Sequence, residues 1–138
     1  MDSLQDKEII ENKLKSKISN FNALSENKDF KEWKDIIFGV GLWGLDYIDV
    51  YNAVENKEMK IQKIKAAHLS DIVYLLKQQI QHDSSAVIIA LKVYGSNPVN
   101  SISQIQESVI SSLNDNAEVL IQGIENKTEE FEIILLND

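Results

Sequence analysis

The sequence predicts an α+β domain, a four-stranded mixed sheet with two helices packed on one face, preceded by an N-terminal helical arm. Three observations predict it. The 138 residues are enough for one core. From residue 59 onward, β-rich runs alternate with stretches whose apolar residues recur three or four apart, in the order strand, helix, strand, helix, strand, strand. Before residue 59 the apolar spacing is helical only.

The elements follow in order. Over residues 7–21, Ile10, Leu14, Ile18 and Phe21 form one stripe of an amphipathic helix, expected to pack on the domain's own core. Residues 22–29 are polar and turn-rich. Phe30, Trp33, Ile36 and Ile37 then mark a second short helix, broken at Gly39 and Gly41. Residues 46–54 read as a short helix and residues 59–67, around Ile61 and Ile64, as a strand. Leu69, Ile72, Val73, Leu76 and Ile80 keep helical spacing, with Ser70 as a candidate cap. Residues 86–94 are nearly all apolar, as suits a central strand buried on both faces. Asn97 followed by Pro98 opens another helix, carried by Val99, Ile102, Ile105, Val109, Ile110 and Leu113. Residues 117–124 and 130–136 are β-rich, and the polar connection between them has hairpin length, predicting a closing antiparallel pair.

Composition excludes several function classes. Without cysteine there is no disulfide, thiolate nucleophile or cysteine metal site. The formal charge of −8, with every base a lysine scattered among acids, argues against a nucleic-acid partner. No apolar run approaches the ~20 residues that span a bilayer, so no membrane partner is expected. Residues 1–8 carry acids with no apolar block after them, unlike a secretory signal, which makes the cytoplasm the expected location.

Catalytic motifs are equally scarce. His68 and His82 lack a ligand cluster, so no metal is expected. Ser84, Ser85 and Ser96 sit in no nucleophile elbow. No dinucleotide or phosphate-binding glycine loop occurs, so no cofactor is expected. What stands out is Gly44-Leu45-Asp46-Tyr47-Ile48-Asp49-Val50. Two aspartates three apart at a helix start share a face and suit the positive end of its dipole. Asp46 as a cap with Asp49 as a first-turn acid accounts for the pattern. Alternatively, the two carboxylates polarise a water at another molecule's site. Trp33 and Trp43 flank the glycine break and read as core or interface anchors.

At these residues the chain resembles the part of FtsZ, the bacterial tubulin homologue, that follows the nucleotide-binding domain. Asp35-Ile36-Ile37 and then Gly41-Leu42-Trp43-Gly44-Leu45-Asp46-Tyr47-Ile48-Asp49-Val50 are similar to that family's Asp-Leu-Ile and its loop Gly-Leu-Ile-Asn-Val-Asp-Phe-Ala-Asp-Val. Strands and helices after residue 59 follow the family's order, and Asn114-Asp115-Asn116-Ala117-Glu118 resembles its Asp-Pro-Asp-Ala-Asn. The resemblance divides the chain into an N-terminal helical arm at 1–34 and an FtsZ C-terminal-domain-like unit at 35–138. Gly44 stands where the family has an asparagine near the nucleotide, and the glycine-rich tubulin signature is missing.

In the family, GTP held by one subunit is hydrolysed when the next inserts this loop, whose acids polarise the attacking water. The resemblance therefore implies in-trans catalytic roles for Asp46 and Asp49, and interaction roles for Gly41, Leu42, Trp43, Gly44, Leu45 and Tyr47. It implies a full-length FtsZ/tubulin-like GTPase as partner, and a module that caps or regulates a filament without binding GTP itself, because head-to-tail growth needs two complementary faces. The alternative is a generic α+β domain for protein binding or for homo-oligomer formation through the N-terminal arm. An enzyme acting on a small molecule ranks last, since no convergent acid, base and cation set is visible.

Overall fold

The computed structural model describes residues 3–19, 24–39, 47–81, 83–95 and 97–138. In chain order the elements are α1 (Ser3–Lys17), α2 (Leu24–Ile37), α3 (Tyr47–Val54), β1 (Lys60–Ala66), α4 (Leu69–Gln79), β2 (Ala86–Val93), α5 (Pro98–Ser112), β3 (Glu118–Glu125) and β4 (Phe131–Asn137). The expected α+β class is the observed one. α2 begins six residues before the expected Phe30, because polar residues other than glycine and proline do not stop a helix and the apolar stripe marks only the part that packs.

The strands form one mixed sheet in the order β1-β4-β2-β3. β4 lies between β1 and β2 and is antiparallel to both, while β3 pairs parallel with β2 at the edge. The expected closing hairpin is therefore wrong: β3 and β4 are separated by β2. The reason lies in burial. β4 is buried along its whole length, whereas β3 exposes both end residues. A strand apolar on both faces is best covered at the centre of the sheet, so the last strand crosses over β2. Asn126 makes the crossing, donating its backbone N–H to the Val93 carbonyl (2.8 Å) and its amide to the Glu130 carbonyl (2.9 Å).

α4 and α5 pack on one face, as predicted, through Ile72 and Leu76 and through Ile102, Ile105 and Val109, against Val87, Ile89, Leu91, Ile133 and Leu135. Gly123 of β3 admits α5 at close range, since a Cβ there would collide with the Ile102 side chain. Asn97 caps α5, its side chain accepting from the Asn100 N–H at 3.1 Å with Pro98 in the first turn. Ser70 does not cap α4; His68 holds that position without a side-chain cap bond.

The opposite face is covered by the N-terminal segments. Phe30, Trp33 and Ile37 of α2, Leu14 of α1, Ile18 just beyond it, and Val50 and Val54 of α3 join Ile61, Ile88, Ala90, Ile134 and Leu136 in one core. The α1 stripe thus packs on its own domain; Phe21 of that stripe lies outside the described residues. The expected boundary between residues 34 and 35 falls inside α2, with core residues on both sides of it. No helix among the described residues is long and apolar enough to cross a membrane.

Candidate interaction site

The site is built from α2, the glycine break and α3. α2 is anchored by aromatic packing. Trp33 is fully buried, stacks on Phe30 at 5.6 Å between centroids, meets Phe38 edge-on at 6.0 Å, and places its indole Nε1 3.4 Å from the Ile88 carbonyl. Phe38 donates its N–H to the Lys34 carbonyl, and Gly39 follows where a Cβ would run into the Asp35 carbonyl oxygen. Glycine is therefore what lets the chain leave the helix here.

A second anchor is ionic. On the face beneath α2, Lys63 of β1 lies 3.0 Å from Glu132 of β4, 3.2 Å from Glu32 of α2 and 4.0 Å from Asp29. Lys92 of β2 lies 3.3 Å from Glu32 and 3.6 Å from Glu132. Burial by itself would raise the Glu32 pKa, but the hydrogen bonds and charges of Lys63 and Lys92 outweigh it and hold the carboxyl below its ordinary 4.5. Burial likewise works to lower Lys63, and the bonds to Glu132 and Glu32 overcome it, so its pKa rises above 10.5. Sequence reasoning passed over this cluster. The signal was available in Lys92 and Glu132, each the one charge inside a largely apolar strand.

α3 is held from below by Val50, Ala53 and Val54, all buried. At its end Asn56 takes a left-handed conformation (φ 62°), and Lys57 caps the helix by donating Nζ to the Ala53 carbonyl at 2.9 Å. α1 runs beside it: Lys13 lies over the Tyr51 ring at 5.3 Å, and Ile18 bridges to Met59 in parallel. These contacts leave Ile48 and Asp49 on the exposed side of the first turn.

Of the residues predicted to act, Tyr47 opens α3 and Asp49 lies in its first turn. Gly41, Leu42, Trp43, Gly44, Leu45 and Asp46 lie outside the described residues, as does His82. The juxtaposition of Asp46 with Asp49 is thus a matter of sequence spacing. Ser84 and Ser85, read as turn serines, tie the sheet together: the Ser85 hydroxyl and the N–H groups of Ser85 and Ala86 all donate to the Asp138 carboxylate. Burial alone would raise the Asp138 pKa, yet these bonds hold it below the ordinary carboxylate value.

The strand order β1-β4-β2-β3, with α4 and α5 on one face and α2 leading through a glycine break into α3, can be compared with known folds. No protein-family model matches the sequence, and no curated protein matches it. Solved structures do match. FtsZ of M. jannaschii, in an empty dimer, superposes with a TM-score of 0.69 at 14% identity over 92% of this chain. TubZ of Bacillus thuringiensis serovar israelensis, in GDP-form protofilaments, superposes with a TM-score of 0.57 at 13% identity over 99%.

The fold is FtsZ/tubulin-like.

A TubZ of type III plasmid segregation gives a TM-score of 0.53 at 12% identity. The chain spans less than half of these relatives, 43% of the FtsZ and 40% of the TubZ chain. The FtsZ-like reading of the elements after residue 59 therefore holds at the level of fold.

Proposed function

We propose that this domain is a filament-interaction module, presenting the segment 41–50 to a subunit of an FtsZ/tubulin-like GTPase and regulating that polymer. The supporting observation is the position of Asp49. It is exposed in the first turn of α3, immediately after the glycine segment, on a helix whose other side is sunk in the core. That geometry leaves the carboxylate for a second molecule, where it would orient or polarise a water. The chain contains no glycine-rich phosphate loop, so GTP turnover belongs to the partner in this reading. In this reading the domain's one complementary face, seated on a subunit, caps growth at that filament end.

The test adds the protein to a polymerising FtsZ-like GTPase from the same cell and follows GTP turnover and sedimentable polymer. A change in either is expected, altered by Asp46→Ala with Asp49→Ala. Unchanged turnover and polymer mass at several-fold excess would refute the proposal. Self-association through the N-terminal arm is less well supported, since Leu14, Ile18, Phe30 and Trp33 are spent on the domain's own core.

A further inference from the structure

The two edges of the sheet differ in a way the filament reading does not use. β1 is defended: it carries Lys60, Lys63 and Lys65, and Met59 just before it is bonded through its N–H and carbonyl to Lys17 and Ser19. Lysines and covering segments are the usual means of keeping a sheet edge from pairing with other chains. β3 has neither. Its eight residues contain no lysine or proline, and its register with β2 runs unbroken from Glu118 to Glu125 without a bulge. Among the described residues it is paired on one side only, with α5 and α2 on its faces.

Which backbone groups face outward follows from the bonds at its ends. Glu118 donates its N–H to Ser85 and Asn126 donates to Val93, both toward β2. Alternation then directs the N–H and carbonyl groups of Val119, Ile121, Gly123 and Glu125 away from β2. The Gly123 N–H is taken by the Gln122 side chain at 3.1 Å. Val119, Ile121 and Glu125 meet no acceptor among the described residues and retain theirs for an incoming strand.

Charge selects among occupants. The stretch 93–126 holds Glu107, Asp115, Glu118 and Glu125, all exposed, and no basic residue. A second copy of β3 would bring its own Glu118 and Glu125 and no base to this edge, and like charges brought together across strands destabilise the pair. Glu118, on the face opposite to Val119, favours a base in the added strand, whose aliphatic residues then lie on the face of Val119. Beside the start of β3, Ile110, Leu113, Ala117 and Val119 line a cavity of about 140 Å³, rimmed by Asn114 and Asp115. It has room for an aliphatic side chain. We propose that the β3 edge is a docking site for an extended partner segment alternating basic and aliphatic residues, which adds a fifth strand to the sheet.

The probe is a capped synthetic peptide of alternating lysine and valine, with a glutamate-for-lysine version and a version N-methylated on alternate residues as controls. Amide exchange of the whole chain is followed residue by residue. With the lysine peptide, the amides of Val119, Ile121 and Glu125 should become protected while those of β1 do not change. Binding should weaken about tenfold in the double variant Glu118→Lys, Glu125→Lys, which should instead take the glutamate peptide. N-methylation of the edge facing β3 should abolish binding. Protection of β3 without peptide that grows with protein concentration would mean that a second copy covers the edge and would overturn the proposal. So would peptide binding that leaves these three amides unprotected, or no binding at all. None of these readouts depends on a GTPase partner, so the edge and the filament face fail or stand separately.

Discussion

Glu132 shows how much one residue can carry in this fold. It is a carboxylate with 8% of its side chain exposed, in the central strand β4, and it is tolerated there because Lys63 and Lys92 reach it from the neighbouring strands. Glu132→Gln removes the charge those ammonium groups share, although both can still turn to Glu32 and to water. The expected cost is about 1–3 kcal/mol in denaturant unfolding, below the full penalty of a wholly buried pair. Glu129→Gln, exposed in the preceding loop, should fall within about 0.5 kcal/mol of the parent. Equal losses in the two variants would show that the cluster contributes nothing. Trp33 offers the apolar counterpart. It is fully buried between Phe30 and Phe38, so Trp33→Ala should cost about 3–5 kcal/mol by the same measurement.

Among the elements, α4 and α5 contrast two ways of starting a helix. The α5 start was readable, because Asn97 and Pro98 are a cap and a first-turn residue in the order the backbone needs. The α4 start was not: Ser70 has the right chemistry but sits inside the helix, two residues after the boundary at His68. Asn97→Ala should therefore cost about 1 kcal/mol, whereas exposed Ser70→Ala should be neutral or stabilise by about 0.5 kcal/mol. Thermal unfolding of the two variants distinguishes them, and a loss at Ser70 as large as at Asn97 would contradict the assignment. Strand placement follows a similar division. β2 was legible as central because it is apolar on both faces. β4 carries the same signal, yet local reading took its short connection from β3 as a hairpin, since connection length says nothing about which strand lies between.

At the scale of the whole molecule, α2 is joined to the sheet by charges that titrate at opposite ends of the pH range. The depressed pKa of Glu32 gives stability that is fully present above 4.5 and lost as pH falls through the lower folded value. Depressed Asp138 acts in the same direction from its ordinary 3.8. The raised pKa of Lys63 gives stability present below 10.5 and lost as pH rises through the higher folded value. Melting temperature measured against pH should show a plateau between these limits, with a shallower acid limb in Glu32→Gln. Identical acid limbs in parent and variant would rule out Glu32 as a contributor.

The sequence by itself determined which segments are helical or extended, the central place of β2, the stripe that folds α1 onto its own domain, and the spacing of Asp46 and Asp49. These are local properties, set by apolar periodicity, breakers and caps within a few residues of each other. Only the tertiary structure decided that β4 passes between β1 and β2, that α2 is clamped by charges drawn from three strands, and that β3 is left with an acidic edge unpaired among the described residues. Each depends on residues brought together from distant parts of the chain, because covering a strand apolar on both faces and neutralising a buried carboxylate are problems that only neighbours in space can solve.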